Sequence, residues 1–331
     1  MEYRKFGKTG IDISAIGFGC WEIGGGYGSI EETEFIRAIN RALDAGINSY
    51  DTAEAYGFGA SEKSLAKALG KRRKQAVITT KFGVGYPDTP NYRDSSRKRV
   101  TESIEKSLKA LETDYVDVYL IHWPDRNIPF EEPMRALDDL VKQGKVRAVG
   151  LSNFKLDEIE ACMKVRRVDV VQYCWNMFDR RMQKEIFPYC RENNIGVMAY
   201  GSLAYGMLTG TLSEEKAFEK GDWRSRRGQL GNINLFQHLF GPEHFLKNLR
   251  AVEELKGIAN KYKKTLPQLA LRWTTSNPVV STALVGCRNP GEVDDNLGAL
   301  GWQISDGDMK EIDAIFARNG AITMPETWLE S

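Results

Sequence analysis

Asn48-Ser49-Tyr50-Asp51-Thr52-Ala53-Glu54-Ala55-Tyr56-Gly57 reads as a short strand that ends in a carboxylate, then a tight loop that presents a tyrosine. Two more apolar runs end on a single polar residue in the same way. Ala76-Val77-Ile78-Thr79-Thr80 runs into Lys81, and Val116-Asp117-Val118-Tyr119-Leu120-Ile121 runs into His122. An acid, a phenol, an ammonium and an imidazole at the ends of successive strands can do proton chemistry if the fold brings them together.

Outward from this stretch, apolar runs of strand length alternate with amphipathic segments of helix length, the pattern of βα units around a parallel sheet. Strands are expected at 14–19, 47–51, 76–81, 116–121, 146–152, 168–172, 196–200 and 280–285. Helices are expected at 30–45, 60–70, 95–111, 131–143, 155–162, 182–193, 247–262 with 266–276, and 290–299. Such a series fits an α/β fold closed as a (β/α)8 TIM barrel. An opening hairpin is expected where residues 2–5 and 11–16 flank Gly7-Lys8-Thr9-Gly10. Ser29-Ile30-Glu31-Glu32 and Thr265-Leu266-Pro267-Gln268 read as capping boxes, and Pro267 falls in a first turn that needs no amide from it.

Two segments fall outside the pattern. Residues 204–246 form a long insertion after the seventh strand, with the charged run Asp222-Trp223-Arg224-Ser225-Arg226-Arg227. A loop of that length is usually functional. The second segment is a tail from Trp302, with a helix near 305–317 and an irregular end that holds Trp328. With no linker, repeat or low-complexity tract, residues 1–331 read as one domain.

The chain has 42% apolar and 27% charged residues and a net charge of +1. That balance describes a soluble globular protein and gives no electrostatic case for nucleic acid or an anionic membrane. The start, Met1-Glu2-Tyr3-Arg4-Lys5, lacks a signal-peptide core, and no apolar run is long enough to span a bilayer. Cys20, Cys162, Cys174, Cys190 and Cys287 show no C-x-x-C spacing and read as buried thiols of a cytoplasmic protein. No metal site is expected. His238 and His244 read as loop residues without a ligand constellation around them. Oligomeric state is left at a monomer or a small homo-oligomer.

In a parallel barrel, the segments that follow the strands share one face, so distant strand ends meet. That face also receives Val149-Gly150-Leu151-Ser152-Asn153, Val171-Gln172, Ala199-Tyr200-Gly201-Ser202 and Val285-Gly286-Cys287-Arg288. A tyrosine is protonated at neutral pH and can donate, and a nearby ammonium should lower its pKa. Buried Lys81 needs a counter-charge, which Asp51 can supply. An imidazole can hold a carbonyl oxygen. The set suits proton delivery to an oxygen while a hydride reaches the attached carbon.

At this point the motifs resemble the aldo-keto reductase family, over essentially the whole chain. The resemblance rests on Asp51-Thr52-Ala53-Glu54-Ala55-Tyr56-Gly57, Thr80-Lys81-Phe82-Gly83, His122-Trp123-Pro124-Asp125 and Gly144-Lys145-Val146-Arg147-Ala148-Val149-Gly150-Leu151-Ser152-Asn153-Phe154. It continues in Gln172-Tyr173-Cys174-Trp175-Asn176 and Gly206-Met207-Leu208-Thr209-Gly210. It implies a barrel that binds extended NADPH (as NADP+ after turnover) without a Rossmann domain, and no G-x-G-x-x-G follows a strand here. By resemblance, Tyr56 is the general acid, Lys81 tunes it, Asp51 pairs with Lys81 and His122 orients a small-molecule carbonyl substrate. Ser152, Asn153 and Gln172 would bind the nicotinamide carboxamide and Tyr200 would stack on its ring. Gly201, Ser202, Leu203, Gly206, Leu208 and Gly210 belong to the loop that would carry the pyrophosphate. Trp21 and Trp123 would flank the substrate.

The adenosine end departs from the pattern of eukaryotic reductases, whose Lys-Ser and later Arg are replaced by Gly286-Cys287 and Glu292. Arg288 and Asn296 remain, as in the bacterial and potassium-channel β-subunit branch. Arg288 suits a 2′-phosphate, with Arg224, Arg226 or Arg227 assisting. Glu292 suits an unphosphorylated ribose.

Plainer readings stand beside these. Asp51 and Lys81 also suit an ordinary barrel ion pair, Ser152-Asn153 also suits a helix cap, and the 224–227 run also suits a solvated face. Trp175, Trp273 and Trp302 read as core or rim. Tyr27, Phe58, Phe82 and Trp328 join Trp21 and Trp123 as candidates for an apolar pocket. The expectation is an NADPH-dependent reductase of aldehydes and ketones. The alternatives are a regulatory subunit that holds NADPH with little turnover, and an NAD-linked polyol or sugar dehydrogenase.

Overall fold

The alternation of strand and helix signals closes on itself as an eight-stranded parallel barrel wrapped in helices. The computed structural model describes residues 1–24, 30–85, 93–215, 218, 222–226 and 236–325. A hairpin of β1 (Tyr3–Lys5) and β2 (Asp12–Ser14) precedes the barrel, paired antiparallel with Tyr3 opposite Ser14. The barrel strands are β3 (Ile16–Gly19), β4 (Ser49–Asp51), β5 (Val77–Phe82), β6 (Val116–Ile121), β7 (Val146–Ser152), β8 (Val170–Cys174), β9 (Gly196–Tyr200) and β10 (Val280–Gly286). They neighbour one another in chain order, and β10 pairs back onto β3. The crossovers are α1 (Glu32–Asp44), α2 (Ala60–Leu69), α3 (Arg97–Ala110), α4 (Glu131–Lys142), α5 (Leu156–Val165) and α6 (Ile186–Asn193). Among the described residues between β9 and β10 are the α-helices α7 (Gln237–Phe240), α8 (Pro242–Lys261) and α9 (Leu266–Ser276). After β10 come α10 (Pro290–Leu297) and α11 (Asp306–Asn319).

Strand periodicity sorts side chains between two apolar clusters. Tyr50, Ile78, Tyr119, Ile121 and Val149 pack with the helices. Val77, Val118, Leu120, Ala148, Val170, Met198 and Leu284 form a separate cluster inside the barrel. The hairpin supplies Phe6, Ile11 and Ile13 to that inner cluster and so plugs the end where the strands begin. Gly7 allows the close approach. A Cβ there would lie 2.5 Å from the Gly196 nitrogen, and its φ is +57°.

Thr265 caps α9 as its sequence suggests, with both hydrogen bonds of the capping box present. Elsewhere three expectations shift. Helix α1 begins at Glu32 behind Glu31, which makes no side-chain cap; Ser29 lies outside the described residues. The Glu32 carboxylate instead accepts from Ser64 Oγ at 2.9 Å and Lys67 Nζ at 3.0 Å, tying α1 to α2. Strand β8 starts after Asp169, whose side chain accepts from the Val149 amide at 3.0 Å, and runs to Cys174 because pairing with β9 continues to Cys174 opposite Tyr200. Helix α8 starts at Pro242, where proline follows the Gly241 N-cap, so the insertion is shorter than 204–246 and carries helical structure of its own.

Candidate active site

The inward faces of several strands end in residues singled out above. On β4, Ser49 and Asp51 share a side; on β5, Val77, Thr79 and Lys81; on β8, Val170 and Gln172. His122 continues the inward parity of Val118 and Leu120, one residue past β6. Tyr56 sits on a loop stitched to the end of β5. The Thr52 amide donates to Thr79 O at 2.9 Å and the Glu54 amide to Lys81 O at 3.1 Å. The loop then turns sharply, with left-handed backbone at Gly57 (φ 62°), Phe58 (φ 51°) and Gly59 (φ 87°).

Lys81 is the hub. Its side chain is fully buried, and its Nζ donates to Asp51 Oδ2 at 2.6 Å, Thr52 O at 2.8 Å and Tyr56 Oη at 3.3 Å. Three acceptors around one buried ammonium compensate its lost hydration. Asp51 Oδ1 accepts from Gln172 Nε2 at 2.6 Å. Burial works against both members of the pair, raising the Asp51 carboxyl and lowering the Lys81 ammonium, while each holds the other charged. The Tyr56 ring stands edge-on to His122, with centroids 5.7 Å apart at 78°. Burial first, and Asp51 second, push the Tyr56 phenol well above its ordinary range. This direction is opposite to the lowering expected from Lys81, because burial and the Asp51 charge outweigh the ammonium. The phenol stays protonated. Burial and the Lys81 charge hold His122 well below its ordinary value, so the imidazole is neutral, and its buried Nδ1 has no partner among the described residues.

A second hydrogen-bonded group adjoins the first. Asn153 Nδ2 donates to Ser152 Oγ and to His122 O, each at 3.1 Å, and Tyr200 Oη donates to Asn153 Oδ1 at 2.9 Å. Ser152 Oγ donates to Gln172 O at 3.0 Å. Asn153 is held at φ 66°, a left-handed conformation that asparagine tolerates better than most residues. Helix α5 begins only at Leu156, behind Lys155, so Ser152 and Asn153 do not cap it.

Both groups open onto a cavity of about 1080 Å³, large against the usual range for ligand sites. Asp51, Tyr56, His122, Ser152, Asn153, Gln172 and Tyr200 line one end, together with Trp21 and Trp123. Gly201, Ser202, Leu203 and Gly206 continue the wall, and Gly286, Arg288, Glu292 and Asn296 close the far end. Leu208 and Gly210 do not line it. Leu208 is buried in the core, and Gly210 packs against Lys256 and Leu266; Thr209 and Thr211 line the cavity in their place. Phe58 is 79% exposed and Phe82 stacks on Tyr119 in the core, so neither joins the pocket. Tyr27 and Trp328 lie outside the described residues.

Described residues of the insertion, among them Tyr205, Phe218, Asp222, Arg224 and Phe236, line this cavity as well. Trp223 stacks on Trp21 with centroids 6.2 Å apart, and Trp21 lies 6.3 Å from Tyr56. Arg224 lines the cavity, but its guanidinium is forked onto Asp222 and donates to Tyr205 O at 3.2 Å. The Arg226 side chain and Arg227 fall outside the described residues. Arg288 is likewise engaged: its amide, Nε and Nη2 donate to Glu292 at 2.8, 3.2 and 2.9 Å. Asn296 donates to Cys287 Sγ at 3.2 Å. His238 and His244 are helical, on α7 and α8, which corrects their reading as loop residues. No cluster of metal-ligating side chains occurs among the described residues. All five cysteines are buried and free. Trp175 and Trp273 stack in the core, and Trp302 sits on Tyr262.

Among the lining residues that sequence reasoning passed over are Glu22, Asp222 as an anchor, and Tyr205. Glu22 carried a signal, an acid next to Trp21 just past a strand end. Tyr205 carried none, because its left-handed backbone (φ 55°) has no local cue.

Comparison with known proteins agrees with the fold. The model of the aldo/keto reductase family matches residues 15–317. The chain is 37% identical to the aldo-keto reductase YhdN of Bacillus subtilis, over 95% of this chain and 93% of that one. It is 33% identical to an NADH-specific methylglyoxal reductase of Escherichia coli, over 93% and 96%. Among solved structures, a glycerol dehydrogenase of Gluconobacter oxydans superposes with a TM-score of 0.84 at 34% identity, covering 98% of both chains.

Proposed function

We propose that this chain, which belongs to the aldo/keto reductase family and is therefore an oxidoreductase, reduces aldehydes or ketones to alcohols with NADPH, using Tyr56 as the proton donor. One observation carries the reading: Lys81 holds Asp51 and Tyr56 together beside a neutral His122, at the mouth of a long cavity. A nicotinamide dinucleotide fits the donor set. At one end, Ser152, Asn153 and Gln172 offer amides and a hydroxyl for a carboxamide, beside the Tyr200 ring. At the other, Arg288 and Asn296 offer a cation and an amide for an adenosine phosphate.

When bound, the reduced nicotinamide supplies a hydride for the substrate carbon. Tyr56 donates its Oη proton to the carbonyl oxygen, and the phenolate so formed faces Lys81 Nζ, which stabilises it at that moment. His122, neutral, orients the carbonyl oxygen by a hydrogen bond. Trp21, with Trp223 stacked behind it, and Trp123 give the substrate an apolar surround that keeps water from the transferred charge.

A second reading concerns the donor. The three hydrogen bonds from Arg288 to Glu292 compete with a 2′-phosphate, which favours NADH. Oxidation of NADPH and of NADH with a panel of aldehydes, followed by loss of nicotinamide absorbance, tests both. The expected result is turnover with a lower KM for NADPH. A lower KM for NADH moves the assignment to the second reading. Tight cofactor binding with no turnover on any carbonyl contradicts the reductase and supports a regulatory subunit.

A further inference from the structure

Glu22 follows Trp21 in the segment after β3, and its carboxyl lies against the backbone of Gly286 at the end of β10. A Cβ on Gly286 would stand 1.6 Å from Glu22 Oε1 and 2.4 Å from Oε2, so the carboxyl occupies the space that the missing side chain leaves and would have to swing away from any larger residue there. The residue lines the cavity and keeps partial exposure, yet Oε2 is closed to solvent and has no hydrogen-bond partner among the described residues. A charged oxygen in that state is costly.

The surroundings offer little to offset the charge. Arg288 is the nearby cation, and it is already bound to Glu292 on α10. Glu292 and Asp51 are like charges, while Tyr56, Cys20 and Cys287 face Glu22 uncharged. Arg224, elsewhere on the cavity wall, is held by Asp222. Burial first, then the Glu292 charge, outweigh the pull of the residue's own amide and of Arg288, and push the Glu22 carboxyl up to about 7.

Position along the cavity suggests its role. Tyr56 and His122 mark one end and Arg288 and Asn296 the other; Trp21, which precedes Glu22 in the chain, lies 6.3 Å from Tyr56, while the Glu22 carboxyl lies against Gly286 on the segment that leads to Arg288, so Glu22 links the two ends. A dinucleotide that spans those ends places its diphosphate in the middle. We propose that Glu22 is a cofactor-contacting residue that meets this diphosphate as a hydrogen-bond donor, so that binding NAD(P)H takes up a proton at this side chain. The inference rests on the dinucleotide reading above. A carboxylate facing a diphosphate repels it, whereas a carboxylic acid donates its O–H to a phosphoryl oxygen. Cofactor affinity therefore weakens as pH rises above neutrality.

The test is the dissociation constant of NADH and of NADPH for the wild type and for Glu22→Gln, from acid to alkaline pH. Glutamine is close to isosteric and donates without titrating. Taking the ratio of the two proteins cancels the 2′-phosphate of NADPH, which titrates near pH ~6. The expected ratio of wild-type to variant Kd rises about tenfold per pH unit above pH ~7. Calorimetry in two buffers of different ionisation enthalpy should show about one proton taken up by the wild type above that pH, and none by the variant. A ratio independent of pH, or a variant weaker at every pH because Glu22 accepts from a hydroxyl, overturns the proposal. Failure of both proteins to bind either dinucleotide at any pH is a separate result, which overturns the dinucleotide reading itself and this proposal with it.

Discussion

Asp51 holds Lys81 with one oxygen and Gln172 with the other, and each bond was half legible in the sequence. A carboxylate, an ammonium and an amide at successive inward strand ends require only the period of two and closure of the barrel to meet. Their electrostatics were not legible, because the burial that keeps the Tyr56 phenol protonated and the charge of Asp51 beside it depend on which segments the fold packs together. Lys81→Met strands Asp51 without its cation and should cost about 3–5 kcal/mol of stability as well as activity, measured by denaturant unfolding. An unchanged midpoint would show that the pair is not buried as described. At the adenosine end, Glu292→Gln frees Arg288 and should lower the KM for NADPH about tenfold while leaving that for NADH nearly unchanged. Equal effects on both cofactors would remove Arg288 from the account of donor choice.

At the scale of elements, strands and crossovers were read well where apolar periodicity was long, and poorly where a cap or a turn decided the boundary. Thr265 announced α9 because both partners of its box are local. Thr265→Ala should cost about 1 kcal/mol, read as a shift in thermal midpoint; no shift would mean that the cap is redundant with Pro267. Helix α8 started early at Gly241-Pro242, a boundary passed over because the preceding residues lack periodicity. His238 ties this region to pH. Burial lowers its imidazole to about 4, so between the ordinary value of 6.5 and that figure the unfolded chain binds more protons than the folded one. Stability carried by neutral His238 is present above pH ~6.5 and lost as pH falls through that window. His238→Gln should flatten this acid limb in a pH series of melting temperatures, and an unaltered limb would assign it elsewhere.

For the whole molecule, the order of signals sufficed for a closed barrel, since parallel strands joined by helices leave few other topologies. The hairpin was legible as a hairpin, but its use as a plug was not. That depends on Phe6, Ile11 and Ile13 meeting Val170 and Leu284, which are distant in sequence. The placement of Trp223 against Trp21 was also beyond reach, because such aromatic contacts follow no local rule.

The reductase reading depends most on one phenol. Turnover with a carbonyl substrate and cofactor affinity by fluorescence titration, measured on the same preparation of Tyr56→Phe, separate chemistry from binding. The account predicts an unchanged dissociation constant for the dinucleotide and a rate lower by roughly 10²–10⁴-fold. A variant that turns over at close to the wild-type rate would contradict it.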